Sequence, residues 1–562
     1  MRAWFRLALV LVASLLAPSA GAQATAASSP SAKPYIIYVS PASRRLVDKD
    51  GVDLKTRANR WRDLLVSRGA RYTIATHPSQ LAPLPAGAIL VLPSALVLED
   101  AERALLAQRL AAGDSLLATG MPGTVDAKGA PASYEFLEKT FNVTAKATAR
   151  GEKGFLVPVG DTPLTYEIAP GTRIWVGKEK LPQPLLSQPG AGYLADYGRA
   201  AAPDTGLMAM TTVGSSRRVL LGWTEAAWDG QPAEFAKLAN AALDWVEGRP
   251  SAYVRTWPWP YRGAMTIGID SIWRFENLPR VSARLAEYGV HGSFHFPASE
   301  IEPIVAPIKD LAKAGHSVGG FGDTPQPLAG RPEREQRTRV ERMVDDFHRV
   351  LGQDFLVAGL RAPQGVTDAG TEKAAASLDY LVDVGRIEAL TPVQSQEGRL
   401  VLLAASANIG ASSEPDTIAS SINDALGKAL IGGYAFVGLD LAGLQADSPM
   451  DAVLKRTLDS LKGRDVLWLG SAIEVASWWR ERAQLKVTRA WQPGDAAMTL
   501  EVSLAEPLHF PAAISVEVPP GMLPALEEGV AGAQLQESNG AYAIVLTGLA
   551  AGTHRMRVTF RS

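Results

Sequence analysis

RGAMTIGIDS, residues 262–271, is an apolar run that ends in a carboxylate, Asp270. A helical pattern follows, ENLPRVSARLAEYGV at 276–290, and then a second strand-like run, HGSFHFPAS at 291–299. The alternation continues through EIEPIVAPIKDLAKAG (300–315), HSVGGFGDT (316–324), a long helix around REQRTRVERMVDDFHRVLG (334–352), and FLVAGLRAPQG (355–365). Strands alternating with helices predict βαβ units on a parallel sheet or barrel. In such folds the C-terminal ends of the strands and the loops after them build the site. Asp270, Phe321 and Arg361 all fall at or near such ends.

Three segments in this order resemble the polysaccharide deacetylases of the NodB-homology type, carbohydrate esterase family 4, whose domains are distorted (β/α) barrels. GIDS at Gly268–Ser271 is similar to that family's TFDDG, GHSVGGFGDTP at Gly315–Pro325 to GHEIGNHTxxH, and LRAPQG at Leu360–Gly365 to FRPPYG. The resemblance implies that Asp270 is the catalytic base and Arg361 the arginine that orients it. It also implies a divalent metal held by one Asp and two His, and here the chain departs from the family. The three ligand positions are occupied by Ser271, Phe321 and Pro325. Neutral Ser is a poor ligand, and Phe and Pro carry no donor atom. A late family His is replaced within GYAFVGLDL, at Asp440. The expectation is therefore a deacetylase scaffold without its metal, with His295, Trp273 and Asp440 as candidate substrate contacts and no cofactor. The alternative is zinc or another divalent ion in a rewired site.

Of the seven His in the chain, four lie in this region: His291, His295, His316 and His348. Strand parity puts His291 and His295 on one face, so a rewired Asp270/His295 pair competes with a merely packed His295. His316 is expected to brace the turn after Gly315, and His348 to sit on a solvated helix face near Asp345 and Asp346. Without an ion, water keeps a pKa of about 15.7 rather than about 7, so making hydroxide costs roughly 12 kcal/mol more. A glycosidase would instead need two carboxylates about 5–10 Å apart, and Asp270 with Glu276 or Asp440 are the candidate pairs.

Upstream, Met1–Ala22 has Arg2 and Arg6, the apolar run LALVLVASLLA and a small-x-small end at Ala20–Ala22. This is the pattern of a secretory signal peptide cleaved near Ala22, which predicts a periplasmic or secreted protein. The 562 residues contain no Cys, so disulfides and thiolate chemistry are excluded. Lys plus Arg (56) balance Asp plus Glu (58), which argues against nucleic acid as a partner. No later stretch is apolar and long enough to be an integral membrane segment. The predicted partner is a polysaccharide or oligosaccharide.

Residues 33–248 alternate strand and helix patterns (PYIIYVS, TRANRWRDLLVSRG, GAILVLPSA, then helix, turn and strand). They resemble a flavodoxin-like or class I glutamine-amidotransferase-like domain, although the nucleophilic Cys of the latter is missing. Thr119–Gly123 reads as a plain turn. A linker, 249–261, carries Trp257, Trp259 and Tyr261, which either stack on sugar faces or wedge the flanking domains together. The barrel extends over 262–483, where Ser471 and Glu474 form a capping-box pattern before a helix with Trp478 and Trp479. From 484 to 562, short alternating runs between turns predict a small β-sandwich. The fold class is thus α/β multidomain: flavodoxin-like, then (β/α) barrel, then β-sandwich.

Overall fold

The computed structural model describes residues 33–48, 53–150, 155–177, 182–187, 195–197, 205–377, 382–385, 389–395, 399–463, 466–538 and 540–562. The predicted signal segment 1–22 lies outside the described residues.

Asp270 owes its position to a closed barrel. Its strands are β1 (Gly263–Asp270), β2 (Ser293–Phe296), β3 (Ser317–Gly320), β4 (Gly359–Arg361), β5 (Val382–Gly385), β6 (Val401–Ile409) and β7 (Tyr434–Asp440). Each pairs in parallel with the next, and β7 closes the ring on β1 from Ala264↔Tyr434 to Asp270↔Asp440. Closure removes the free edges that an open sheet leaves. The near-continuous apolar reading of β1 and β7 follows from burial on both faces: the outer face meets helices such as Leu278–Ala286 and Pro415–Leu430, and the inner face fills the barrel.

The lower half of the interior belongs to a separate apolar cluster. Ala264, Val384, Val401, Leu403, Tyr434 and Phe436 pack with Ala472, Val475, Ala476, Trp478 and Trp479. The helix Ala472–Gln484 therefore plugs the end of the barrel where the strands begin. It starts where its sequence says it should: Ser471 accepts a hydrogen bond from the backbone of Glu474, and Glu474 accepts one from the backbone of Ser471. Both Trp478 and Trp479 are buried.

The N-terminal domain has a six-stranded sheet. Tyr72–Ala75, Tyr35–Tyr38, Ile89–Leu92, Ser115–Thr119 and Ser216–Leu221 run parallel, with Met208–Val213 antiparallel at the edge. That is the 2-1-3-4-5 order of flavodoxin-like folds. The edge strand Tyr72–Ala75, mostly exposed, has too little apolar patterning to be read from sequence. Met121 to Gly123 make a turn, with Gly123 at φ +70°.

The C-terminal domain is two four-stranded antiparallel sheets. One contains Lys486–Ala490, Ala497–Leu504, Gly552–Arg561 and Leu523–Glu528. The other contains Ala512–Glu517, Ala541–Leu546 and Ala533–Ser538, and its fourth strand comes from the segment read as a linker. Ser251–Val254 pairs antiparallel with Ile514–Glu517. Beyond it, Trp257 is fully buried against Trp479 and Tyr434, and its indole N–H donates to the Gly432 carbonyl at 2.8 Å. Trp478 donates to the Thr256 carbonyl at 2.9 Å. The linker tryptophan packs the domains together.

Candidate active site

The rim of the barrel is built from its register. Asp270 is the partner of His295 on β2 and of Asp440 on β7, so the three stand in one row towards the C-terminal ends of neighbouring strands. Residues level in a parallel ladder point to the same face.

Asp270 is held by Arg361. The guanidinium donates from Nε to Oδ1 at 2.7 Å and from Nη2 to Oδ2 at 2.9 Å, a two-point geometry that uses both carboxylate oxygens. The Arg361 side chain is 1% exposed and that of Asp270 16%. Nη2 also donates to Asn408 Oδ1 at 2.6 Å, and the guanidinium carbon lies 5.0 Å from the centre of the Phe436 ring. Arg361 Nη1 and His295 Nδ1 are buried and, among the described residues, have no hydrogen-bond partner.

Glycines make room for this cluster. A Cβ on Gly438 would lie 2.6 Å from Arg361 Nη2, one on Gly319 would lie 2.9 Å from His295 Cδ2, and one on Gly268 would lie 2.1 Å from Phe436. The glycine of GIDS is thus a packing requirement as well as a motif letter. Asn408 reaches its place through a bulge: Ala405 pairs with Phe436 but Ala407 pairs with Val437, so Asn408 rather than Ala407 stands level with Gly438. Sequence reasoning missed Asn408, because its only signal is a break in alternation that a bulge alone explains.

His295 is a packed residue. It is 4% exposed, its ring lies 5.9 Å from that of Phe436, and burial pushes its pKa down to about 3, against the attraction of Asp270. It is neutral at ordinary pH. His291 does not share its surroundings, contrary to the parity argument. The strand begins only at Ser293, and His291 sits before it, bonded through Nδ1 to Glu474 at 2.9 Å on the plugging helix. His316 accepts from the Gly292 N–H at 3.0 Å and contacts Ser282 at 2.9 Å, so it braces the start of β2. Burial lowers its pKa to about 4.

Asp440 caps the turn after β7 by accepting from the Ala442 N–H at 2.9 Å. Burial, with the charge of Asp270 adding to it, raises its pKa. Trp273 stands at the rim and is 52% exposed. Glu276 is exposed and paired with Arg274 at 3.3 Å.

The residues present do not fit a divalent cation. Both oxygens of Asp270 are taken by Arg361, and Ser271 is fully buried with its hydroxyl on the Ile269 carbonyl at 3.4 Å. Phe321 and Pro325 offer no donor. Asp323, the one carboxylate between them, is buried against Arg339 and Arg342. Among the described residues no group of three or more His, Cys, Asp or Glu is placed to hold a metal ion.

The seven-stranded parallel barrel thus carries an Asp–Arg pair at its mouth. Residues 262–382 match the family model for polysaccharide deacetylase, so the chain carries a domain of that family. A protein from Mycobacterium smegmatis described as a polysaccharide deacetylase is similar in structure, with 19% identity and a TM-score of 0.35, over 40% of this chain and 94% of its own. A carbohydrate esterase family 4 pseudoenzyme from Bacillus anthracis has 15% identity and a TM-score of 0.29, over 39% and 66%. The carbohydrate esterase family 4 domain of a multidomain xylanase from the hindgut metagenome of Trinervitermes trinervoides has 15% identity and a TM-score of 0.29, over 38% and 90%. Curated protein sequences give no match.

Proposed function

We propose that this is an exported protein that binds a cell-envelope or extracellular polysaccharide at the mouth of a deacetylase barrel, without metal-dependent deacetylation. One observation carries the reading: the three positions that hold the metal in the family the chain resembles are occupied by Ser271, Phe321 and Pro325, while the Asp270–Arg361 pair is kept. In this family a metal ion generates hydroxide and polarises the acyl carbonyl. The donors left here supply neither. Trp273, exposed at the rim, offers a flat apolar ring for a sugar face, and Asp440 offers an acceptor for hydroxyls. Among the described residues no helix is long and apolar enough to cross a membrane. The apolar run and small-x-small end within Met1–Ala22 support export, and sequencing the N-terminus of the periplasmic protein should begin at Gln23.

The test is metal analysis of the purified mature protein, titration with chitin-type oligomers, and an acetate-release assay with added zinc or cobalt. The expected result is oligomer binding that weakens in Trp273→Ala, with neither stoichiometric metal nor acetate. Metal-dependent acetate release lost in Asp270→Asn would overturn the proposal in favour of an active deacetylase. A second reading, glycoside hydrolysis, is favoured by the carboxylate row: Asp440 has a raised pKa and is register partner to Asp270. It predicts new reducing ends from the same oligomers, lost in Asp440→Asn.

A further inference from the structure

A cleft lies far from the barrel mouth. It encloses about 1080 Å³ where all three domains meet. The N-terminal domain contributes Tyr166 and neighbouring residues, the barrel contributes Thr391 and the end of the plugging helix at Arg482, and the sandwich contributes Lys486 and Arg489. Its barrel wall includes Val393 and Gln394, which pair with Leu402 and Val401 at the start of β6, and so lies at the opposite end from Asp270.

The charge of this cleft is unbalanced. Lys237, Arg482, Lys486 and Arg489 line it against one acid, Glu167. Arg489 is neutralised by Asp244 at 2.6 Å, and Lys237 by Glu234 at 2.9 Å. Arg482 is different. It is half-buried, it donates only to the carbonyls of Arg255 and Val254, at 3.0 and 3.4 Å, and among the described residues no carboxylate lies within ion-pair distance. Asp161, the carboxylate that acts on it, is paired with Arg255 at 3.3 Å. Burial holds its pKa down to about 10, the mark of a cation lacking a close counter-charge. Lys486 is exposed and has no ion-pair partner among the described residues. A polar cleft with two cations that no carboxylate pairs among the described residues is chemically complementary to a carboxylate on a polyhydroxylated ring.

We propose that the three-domain cleft is a second binding site, selective for an acidic saccharide segment that carries uronic-acid-type carboxylates. The saccharide class rests on the reading of the chain as a polysaccharide binder, whereas the preference for an anion rests on the cleft alone. Arg482 and Lys486 bind the carboxylate.

The experiment is calorimetric titration of the full mature chain with short uronic-acid oligomers, neutral oligomers of equal length, and inorganic phosphate. The acidic oligomers should bind at least roughly tenfold more tightly than the neutral ones, and more weakly as salt rises. Lys486→Ala, at an exposed position, and Arg482→Gln should each weaken that binding about tenfold, while Trp273→Ala at the barrel mouth should leave it unchanged. Equal binding of neutral oligomers, displacement by phosphate at equal concentration, or loss in Trp273→Ala instead of Lys486→Ala would each overturn the proposal. Failure of the barrel-mouth reading shows separately, as neutral-oligomer binding that Trp273→Ala does not weaken.

Discussion

Arg361 holds Asp270 at two points from inside the barrel. Its guanidinium is almost wholly buried, and among the described residues its one carboxylate partner is Asp270. Breaking a buried pair from one side leaves an uncompensated charge, which costs about 3 kcal/mol or more. Asp270→Asn should therefore lower the stability of the protein by ~3 kcal/mol in urea unfolding. Adding Arg361→Met should recover part of that loss, a coupling that a double-mutant cycle reads directly. His295 gives a pH dependence of known sign. Burial holds its pKa at about 3 in the folded chain against about 6.5 for an ordinary imidazole, so below about pH 6.5 the unfolded chain binds a proton that the folded one refuses. Its stabilising contribution is complete above that pH and is lost as pH falls towards 3. The slope is at most ~1.4 kcal/mol per pH unit for each such His. Since His316 is shifted the same way, to about 4, His295→Gln should flatten the stability profile between pH 6.5 and 4 without abolishing the slope.

At the scale of elements, the barrel depends on where it has no side chains. Gly438 on β7 lies against Arg361 Nη2, and Gly268 on β1 against the Phe436 ring, at distances that a Cβ could not share. Gly438→Ala should displace the clamp and destabilise by about 1–3 kcal/mol, as overpacking does. It should also weaken oligomer binding at the mouth if the clamp shapes that site. The plugging helix depends on its cap, and Ser471→Ala should cost about 1 kcal/mol, measurable as a lower melting temperature. The sequence announced this cap because a capping box is local, a spacing of three residues. It did not announce the bulge at Ala405–Ala407, which is a relation between two strands.

For the whole molecule, barrel and sandwich share one apolar cluster and should unfold together. Ser251–Val254 precedes the barrel but pairs in the sandwich, and Trp257, Trp478 and Trp479 pack in one cluster with sandwich residues such as Met498 and Leu500. Trp257→Ala should cost about 3–5 kcal/mol. Residues 262–484 expressed alone should aggregate or unfold readily, because removing the sandwich exposes that cluster. A barrel that melts independently of residues 485–562 in calorimetry would contradict this coupling.

The alternation of strand and helix was legible in the sequence because it is set by local period, whereas the carboxylate of GIDS and the arginine of LRAPQG stood out through their resemblance to family motifs. The pairing of Asp270 with Arg361 was expected on that same resemblance, from strand-like runs that end in those motifs. What the chain did not disclose is everything fixed by register between distant strands. That includes Asn408 beside the clamp, His291 turned to Glu474 rather than to the mouth, the linker strand joining the sandwich, and the cationic cleft shared by three domains. Side-chain chemistry is written residue by residue, but which side chains meet depends on pairings and packing that arise only when far-separated segments bury their surfaces together.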